Sequence, residues 1–331
     1  QYTQMEFNFS LFFGLAVQAY EATLVSDDTP YDRFVGAPSL GIPPNPAAMT
    51  AQQIAGLALF QDTGQTGSKC AACHRLPITT THTVMDYQPN AQGVPSANGE
   101  AIEFMLMGDN GEIANYDQGM YNIGVRRTTE DIGRGDNSPF PNPLTGANFP
   151  ISLVELAALR STSVNPGGIL LPGDVARFIP DVPIVPRRVT KGAFKTPNLR
   201  NIRFSGPYFR NGDSSTLRQA VEFYVRGGNF PNTNLSELAP DIEGIPPLMF
   251  PESDPAARAN IEALVAFMAG GLTDQRVAFE RAPFDHPQLF VPNGAPINAP
   301  ATDLLMEIPA VGRNGLANPL PLFLNLNPQT P

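Results

Sequence analysis

Both cysteines of this 331-residue chain stand in one short motif, C-A-A-C-H, which comprises Cys70, Cys73 and His74. Two thiols three positions apart can each add to one vinyl group of the same porphyrin. The adjacent histidine then lies beneath the ring, where its imidazole nitrogen reaches the iron. The motif therefore predicts a covalently attached c-type haem, one per chain, with His74 as the proximal iron ligand.

Other metal and redox sites fit this motif less well. A zinc site needs four ligands, and the chain has only two Cys and three His in total, with no second Cys pair. A thioredoxin-like pair expects a strand–helix–strand context, which the sequence around the motif does not offer. Covalent haem attachment takes place outside the cytoplasm, so we expect a periplasmic or extracellular protein.

The residues alone leave the second axial ligand of the iron open among Met, Tyr and the other two histidines. His82 follows His74 by only eight residues, which is too close to cross to the other face of the haem. His286 lies in F-D-H-P near the tail and is better explained as a surface or packing residue. Most of the nine Met residues are better explained as core filler.

The acidic composition excludes some classes of function. The chain has 21 Lys and Arg against 31 Asp and Glu, a formal net charge of -10. Nucleic-acid binding is excluded, because neutralising phosphates needs a basic face. The apolar stretch from Leu11 to Val17 is soon followed by Gln18 and Glu21, so it predicts a buried helix rather than a membrane span. No signal peptide precedes Gln1, from which we expect a mature or truncated product.

Helical patterns dominate where the sequence is regular, and they cover residues 5–24, 51–61, 151–160, 216–226 and 255–269. Ser214 or Ser215 is expected to cap the fourth of these helices, and Asp254 before Pro255 starts the last. Residues 75–150 carry few regular signals and much Gly, Asn and Pro, so long loops with short strands are expected there.

Several segments follow one another in a recognisable order: YEATLVSDDTPYDRFVG, GLALFQ, CAACH, YNIGVRRTTEDIGRG, FKTPNLRNIRFSGPYFRNG and TLRQAVEFYVRGG. In this order they resemble the C-terminal half of the bacterial di-haem cytochrome c peroxidase and MauG family. The resemblance extends over about residues 9–271, and the segment RAPFDHPQLFVPNG resembles tails in longer members.

The resemblance implies roles for individual residues. Cys70, Cys73 and His74 match the second haem site of the family, which relays electrons. The distal iron ligand falls in the segment AVEFYVRGG, where classical peroxidases place Met and MauG-like members place Tyr. This chain has Tyr224 there, so the resemblance implies a haem ligated by His74 and Tyr224.

Two further sites follow from the same comparison of motifs. The family's inter-domain calcium ion is bound by backbone carbonyls that map to Ser205 and Pro207, so calcium is expected there. Arg126, Arg127 and Arg134 lie in the segment YNIGVRRTTEDIGRG. They could pair with haem propionates, or they could form ordinary surface ion pairs.

The chain departs from the family in two respects. Members carry two C-x-x-C-H motifs, whereas this chain has one and begins where the second half begins. The peroxide-reacting haem belongs to the N-terminal motif of the family. The chain also has no Trp, which the family's inter-haem relay commonly uses. The N-terminal half is therefore a separate chain, has been cleaved away, or is absent.

We predict a mainly α fold, a class I cytochrome c-like haem domain with long loops and a Pro-rich C-terminal extension. Its expected parts are an N-terminal helix and linker (1–48), the haem domain with a long insertion (49–281) and a tail that wraps the body (282–331). We expect no membrane span in the chain.

The expected function is the electron-transfer half of a di-haem cytochrome c peroxidase or MauG-like oxidase. The partners would be a second haem-bearing domain or chain and a small redox protein that donates electrons. One alternative is a mono-haem electron carrier or structural subunit of a larger redox assembly, without catalysis of its own. Another is an oxygenase whose iron keeps an open position.

Overall fold

The chain divides into two compact units, which are described separately. The N-terminal unit comprises residues 1–50, 200–205 and 268–326, and the haem-motif unit comprises 51–199, 206–267 and 327–331. The domain boundaries expected from the sequence stay a prediction. The computed structural model describes residues 3–64, 67–83, 102–142, 145–160, 184–243, 254–292 and 304–331.

Short helices and one hairpin make up the described part of the N-terminal unit. Thr3 caps the first helix and Thr29 caps the third, each in a capping box. The α-helices are α1 (Gln4–Phe7), α2 (Phe9–Glu21), α3 (Pro30–Val35) and α11 (Gln275–Ala278). The 3₁₀ turns are Pro38–Leu40, Pro46–Ala48, Ile202–Phe204 and Phe323–Asn325, and the hairpin consists of β7 (Leu289–Pro292) and β8 (Leu305–Ile308).

Helix α2 is exposed along its whole length, although its sequence predicts a buried helix. None of its residues is buried, and its large apolar side chains from Phe9 to Leu15 are 51–64% exposed. The prediction of burial is wrong because apolar side chains all round a helix do not by themselves supply a packing partner. Within the described ranges, no helix combines the length and the apolar character needed to cross a membrane.

The haem-motif unit contains the longer packed helices. Asp254 accepts a hydrogen bond from the N–H of Ala256 at 2.8 Å at the start of one of them, as the sequence predicts. The helices are α4 (Ala51–Gln61), α5 (Cys70–Cys73), α6 (Leu153–Arg160), α7 (Leu217–Val225), α8 (Pro231–Asn234), α9 (Pro240–Glu243) and α10 (Pro255–Ala266). A π-helical turn, Phe267–Gly271, follows α10.

Helices α4 and α10 cross at a glycine and form the main helical contact of this unit. A Cβ atom on Gly56 would lie 2.0 Å from the carbonyl oxygen of Ala263, so only glycine allows this approach. Next to the crossing, the fully buried rings of Phe60 and Phe267 pack edge to face with their centroids 5.3 Å apart.

Six short strands complete the haem-motif unit within the described ranges. Their pairing is antiparallel throughout: Ile102 lies opposite Asp117, and Tyr121 lies opposite Phe194. The strands are β1 (Ile102–Leu106), β2 (Ile113–Asp117), β3 (Met120–Tyr121), β4 (Asn137–Pro141), β5 (Asn148–Pro150) and β6 (Phe194–Lys195). They form the two-stranded sheets β1–β2, β3–β6 and β4–β5.

The predicted fold class is wrong. Instead of a mainly α, class I cytochrome c-like fold, helix accounts for 36% and strand or bridge for 16% of the described residues. The strands are two to five residues long, which is too short for an alternating pattern to stand out from the sequence. A Pro-rich tail also predicts irregular structure, yet the tail contains the strand β7, which ends at Pro292 and pairs with β8.

The start of helix α7, which carries Tyr224, is fixed by a cap that the sequence analysis misplaced. Thr216, rather than Ser214 or Ser215, is the N-cap, and Gln219 completes its capping box. All three candidates are hydroxyl residues with the same capping chemistry, so composition alone does not separate them.

Residues 327–331 form hydrogen bonds with the N-terminal end of α7. The hydroxyl group of Thr216 donates to the carbonyl of Thr330 at 2.5 Å. The N–H of Arg218, in the first turn, donates to the carbonyl of Pro328 at 3.0 Å. Residues 327–331 therefore satisfy donors that a helix leaves unpaired at its start.

We expect the substitution Gly56→Ala to destabilise the protein by about 1–3 kcal/mol, because a methyl group at the crossing must push α4 and α10 apart. Urea denaturation followed by circular dichroism measures the change. Gly14→Ala on the exposed helix α2 is the matched control, since nothing lies within 4 Å of its Cβ position. An unchanged free energy of unfolding for Gly56→Ala would contradict this packing.

Deletion of residues 327–331 is expected to lower the unfolding free energy by about 1 kcal/mol for each hydrogen bond lost at the start of α7. Thermal unfolding and urea titration of the full and shortened chains test this. Thr330→Ala is the control that should behave like the full chain, because only the backbone carbonyl of this residue accepts. Equal stability of the shortened chain would show that the contact contributes nothing.

Candidate functional site

The C-x-x-C-H segment begins where a backbone contact closes the turn after helix α4. The N–H of Lys69 donates to the carbonyl of Asp62 at 3.1 Å. Lys69 has a φ of 56°, in the left-handed region, and so turns the chain into α5. Within α5, Cys70 and Cys73 occupy one helical turn, and both thiols are free. Residues three apart on a helix share a face, which suits two bonds to one ligand.

The imidazole of His74 is held by two backbone carbonyls. Its Nδ1 atom lies 3.0 Å from the oxygen of Thr79 and 3.1 Å from the oxygen of Pro197. Because carbonyl oxygens only accept, Nδ1 carries the hydrogen and Nε2 carries the lone pair. Burial lowers the pKa of His74, so the ring is neutral at pH 7. A metal-ligating histidine usually has this form.

The two thiols are not activated as nucleophiles. Burial raises the pKa of both Cys70 and Cys73, the latter to about 12. For Cys73 the charge of Asp241 acts in the same direction, and a hydrogen bond with Tyr121 opposes it. Both thiols are therefore protonated at neutral pH, whereas thiol–disulfide exchange needs a thiolate.

Tyr224 lies on α7 among aromatic residues. Its ring centroid is 5.2 Å from that of Phe223 and 6.1 Å from that of Phe209. Burial raises the pKa of the Tyr224 phenol, and the charges that Cys73 and Cys70 carry when ionised act in the same direction. The phenol is therefore within electrostatic range of both sulfur atoms. Tyr224 and the attachment motif lie in the same compact unit.

This donor set fits haem c. Two thiols on one helical turn offer the two attachment points, while a neutral imidazole and a phenol offer axial donors. Haem brings its own ring nitrogens and needs only axial ligands from the protein. In the part of the chain that the structure describes, no group of three or more His, Cys, Asp or Glu is arranged to hold a metal ion.

The other two histidines have protein partners. Nδ1 of His82 lies 3.1 Å from the carbonyl oxygen of Gln118 in the haem-motif unit. In the N-terminal unit, Nε2 of His286 lies 3.5 Å from the carboxylate of Glu280. These contacts agree with packing roles for both residues.

The three arginines of the YNIGVRRTTEDIGRG segment form ion pairs with protein carboxylates. Arg126 and Arg127 contact Glu130 at 2.5 and 3.1 Å. Arg134 contacts the buried Asp117 at 2.6 Å. Arg126 and Arg127 therefore form surface ion pairs, as one of the two alternatives predicts, whereas Arg134 pairs with a buried carboxylate.

The expected calcium ligands are backbone carbonyls. Ser205 ends a 3₁₀ turn, where its N–H donates to the carbonyl of Ile202 at 3.0 Å. The carbonyls of Ser205 and Pro207 stay predicted calcium ligands.

A cavity of about 410 Å³ beside Cys73 contains residues that the sequence analysis missed. Its walls include Glu103, Tyr116, Tyr121 and Asp241. Tyr121 is the first residue of YNIGVRRTTEDIGRG, one of the segments that carry the family resemblance. This position is the one sequence feature that could have pointed to a role for Tyr121. The others reach the cavity through the β1–β2 pairing and the start of helix α9.

Curated relatives of the chain are found by sequence, although no protein-family model matches it. Cytochrome-c peroxidase IdrP1 of Denitromonas iodatirespirans is 25% identical over 227 residues, covering 68% of this chain and 43% of the relative. Cytochrome-c peroxidase IdrP2 of the same organism is 28% identical over 224 residues, covering 68% and 42%. Methylamine utilization protein MauG of Methylorubrum extorquens is 24% identical over 213 residues, covering 64% and 34%.

The chain spans less than half the length of each of these relatives. A crystal structure of a MauG-like protein associated with microbial copper homeostasis aligns with 78% of this chain and 51% of its own. Its identity is 17% and its TM-score is 0.38, a score too low to relate the two folds. The sequence relatives confirm the predicted resemblance: this chain is similar in sequence to cytochrome-c peroxidases and to MauG.

Proposed function

We propose that this chain is a haem c protein and the electron-transfer half of a di-haem cytochrome c peroxidase or MauG-like oxidase. One observation carries the proposal: a C-x-x-C-H helical turn, a histidine held by carbonyls through Nδ1, and a phenol near both cysteines occur in one unit. The names of the sequence relatives support the same redox role.

Each residue of the set has a separate task. Cys70 and Cys73 attach the porphyrin, and His74 offers Nε2 to the iron. Tyr224 would offer its phenolic oxygen as the second protein ligand to the haem. Burial raises the pKa of this phenol, so its proton would be lost only with the ligand bound. Haem c supplies one-electron transfer when it is bound.

A closed pair of axial ligands suits electron transfer, because neither ligand needs to leave during the reaction. Peroxide would then be reduced at a second haem, on another domain or chain, with electrons from a small redox protein. Because covalent haem attachment takes place outside the cytoplasm, we infer a periplasmic or extracellular location.

Covalent attachment is tested by mass spectrometry and by the pyridine haemochrome spectrum of the purified chain. The unchanged chain should carry the mass of one haem through two thioether bonds. Cys73→Ala should keep one thioether and shift the haemochrome α-band to longer wavelength, because one vinyl group remains unsaturated. The double variant with Cys70→Ala should lose covalent haem. Ser68→Ala, which keeps both sulfur atoms, is the control. A full chain without added mass would exclude the proposed cofactor.

The axial role of Tyr224 is tested by Tyr224→Phe, which removes only the donor oxygen. The oxidised protein should change from a low-spin to a high-spin spectrum and should then respond to one equivalent of hydrogen peroxide. Tyr20→Phe, at an exposed position of helix α2, should leave the spectrum as it is. If Tyr224→Phe also keeps the original spectrum, Tyr224 is a packing residue and another group completes the coordination.

A further inference from the structure

A row of polar side chains leads from the attachment motif into the cavity beside it. Tyr121 and Cys73 both line this cavity. The rings of Tyr121 and Tyr116 pack against each other, with centroids 5.5 Å apart. The hydroxyl group of Tyr116 donates to the carboxylate of Glu103 across the β1–β2 pair.

The surroundings of the two phenols are apolar. Tyr116 is 6% exposed and packs with Met107, Ala114 and Val189, and Tyr121 packs against the same cluster. Burial raises the pKa of both phenols, so each is neutral at physiological pH. A buried phenol that loses an electron must lose its proton as well, since the low-dielectric surroundings penalise a charged radical.

The carboxylate of Glu103 can accept that proton. It already accepts the hydrogen bond of Tyr116 and is half-buried at the cavity wall. The side chain of Asp241, on the same wall, is 55% exposed, so the cavity is accessible to solvent on that side. The chain contains no Trp, which leaves tyrosine as the aromatic residue best able to give up an electron.

We propose that Tyr121, Tyr116 and Glu103 form a proton-coupled redox relay that connects the thioether edge of the haem to a binding cavity for a small organic one-electron donor. The inference rests on the proposed function, which supplies the oxidant: the oxidising equivalent that peroxide reduction leaves on the haem system. One electron passes from Tyr116 through Tyr121 to the haem, while the phenolic proton of Tyr116 moves to Glu103. The donor in the cavity then returns the electron, and Glu103 returns the proton.

Pulse radiolysis of the ferrous, haem-loaded chain tests the connection without peroxide. Azidyl radicals oxidise tyrosines, and the haem then reduces any tyrosyl radical to which it is connected. The relay predicts a first-order phase in which loss of the tyrosyl absorbance matches haem oxidation at the α-band. Tyr116→Phe and Tyr121→Phe should each slow this phase at least several-fold or remove it. Tyr20→Phe should retain it. Circular dichroism and the α-band verify that each variant is folded and loaded.

Glu103→Gln tests the proton step separately. The tyrosyl radical recovers its proton from Glu103, so this variant should slow the first-order phase several-fold and change its solvent isotope effect. Glu112→Gln, on the exposed side of the turn between β1 and β2, is the control. An unchanged phase in both Tyr116→Phe and Tyr121→Phe would overturn the relay. Because no peroxide is used, that result would leave the proposed peroxidase role standing, whereas a chain without haem would remove both.

Discussion

The imidazole of His74 and the two carbonyls that hold it form the constraint on which the rest of the site depends. Thr79 is near His74 in sequence, whereas Pro197 is more than a hundred residues away. Side-chain bonds keep the two segments together: Thr79 Oγ1 donates to Asn198 at 2.9 Å, and the N–H of Leu199 donates to Thr79 Oγ1 at 2.8 Å. Each such hydrogen bond contributes about 1 kcal/mol to the free energy of folding, so several small contributions together fix the orientation of His74.

The same distant segment also positions the phenols. Strand β6 ends two residues before Pro197, and its Phe194 lies opposite Tyr121 in the β3–β6 pair. Residues 194–199 therefore hold His74 through the carbonyl of Pro197 and pair with the strand of Tyr121 through Phe194. Earlier in the chain, β2 places Tyr116 beside Glu103 of β1. A disturbance of residues 194–199 would thus affect the proximal ligand and the relay together, although the two are separate in sequence.

Features that depend on residues close together in the sequence could be predicted, whereas features that depend on contacts between distant segments could not. The attachment motif and the cap at Asp254 depend on residues a few positions apart, and both were recognised from local spacing. Tyr224 was identified through family resemblance rather than through spacing. Glu103 and Tyr116 could not be found, because their contact depends on the register of a short strand pair. The exposure of α2 likewise depends on what packs against it, which a single helix does not encode.

Electrostatics explain why electron movement at this site has to involve protons. Burial raises the pKa values of the thiols and of Tyr116, Tyr121 and Tyr224, and it lowers that of His74. Every one of these groups is therefore neutral before the haem is attached, in surroundings that penalise a new charge. A positive charge left on a phenol would be unstable there, whereas a neutral radical with its proton on Glu103 creates no net charge. The short strand pair that brings the carboxylate to Tyr116 is thus what makes an oxidisable tyrosine compatible with an apolar site.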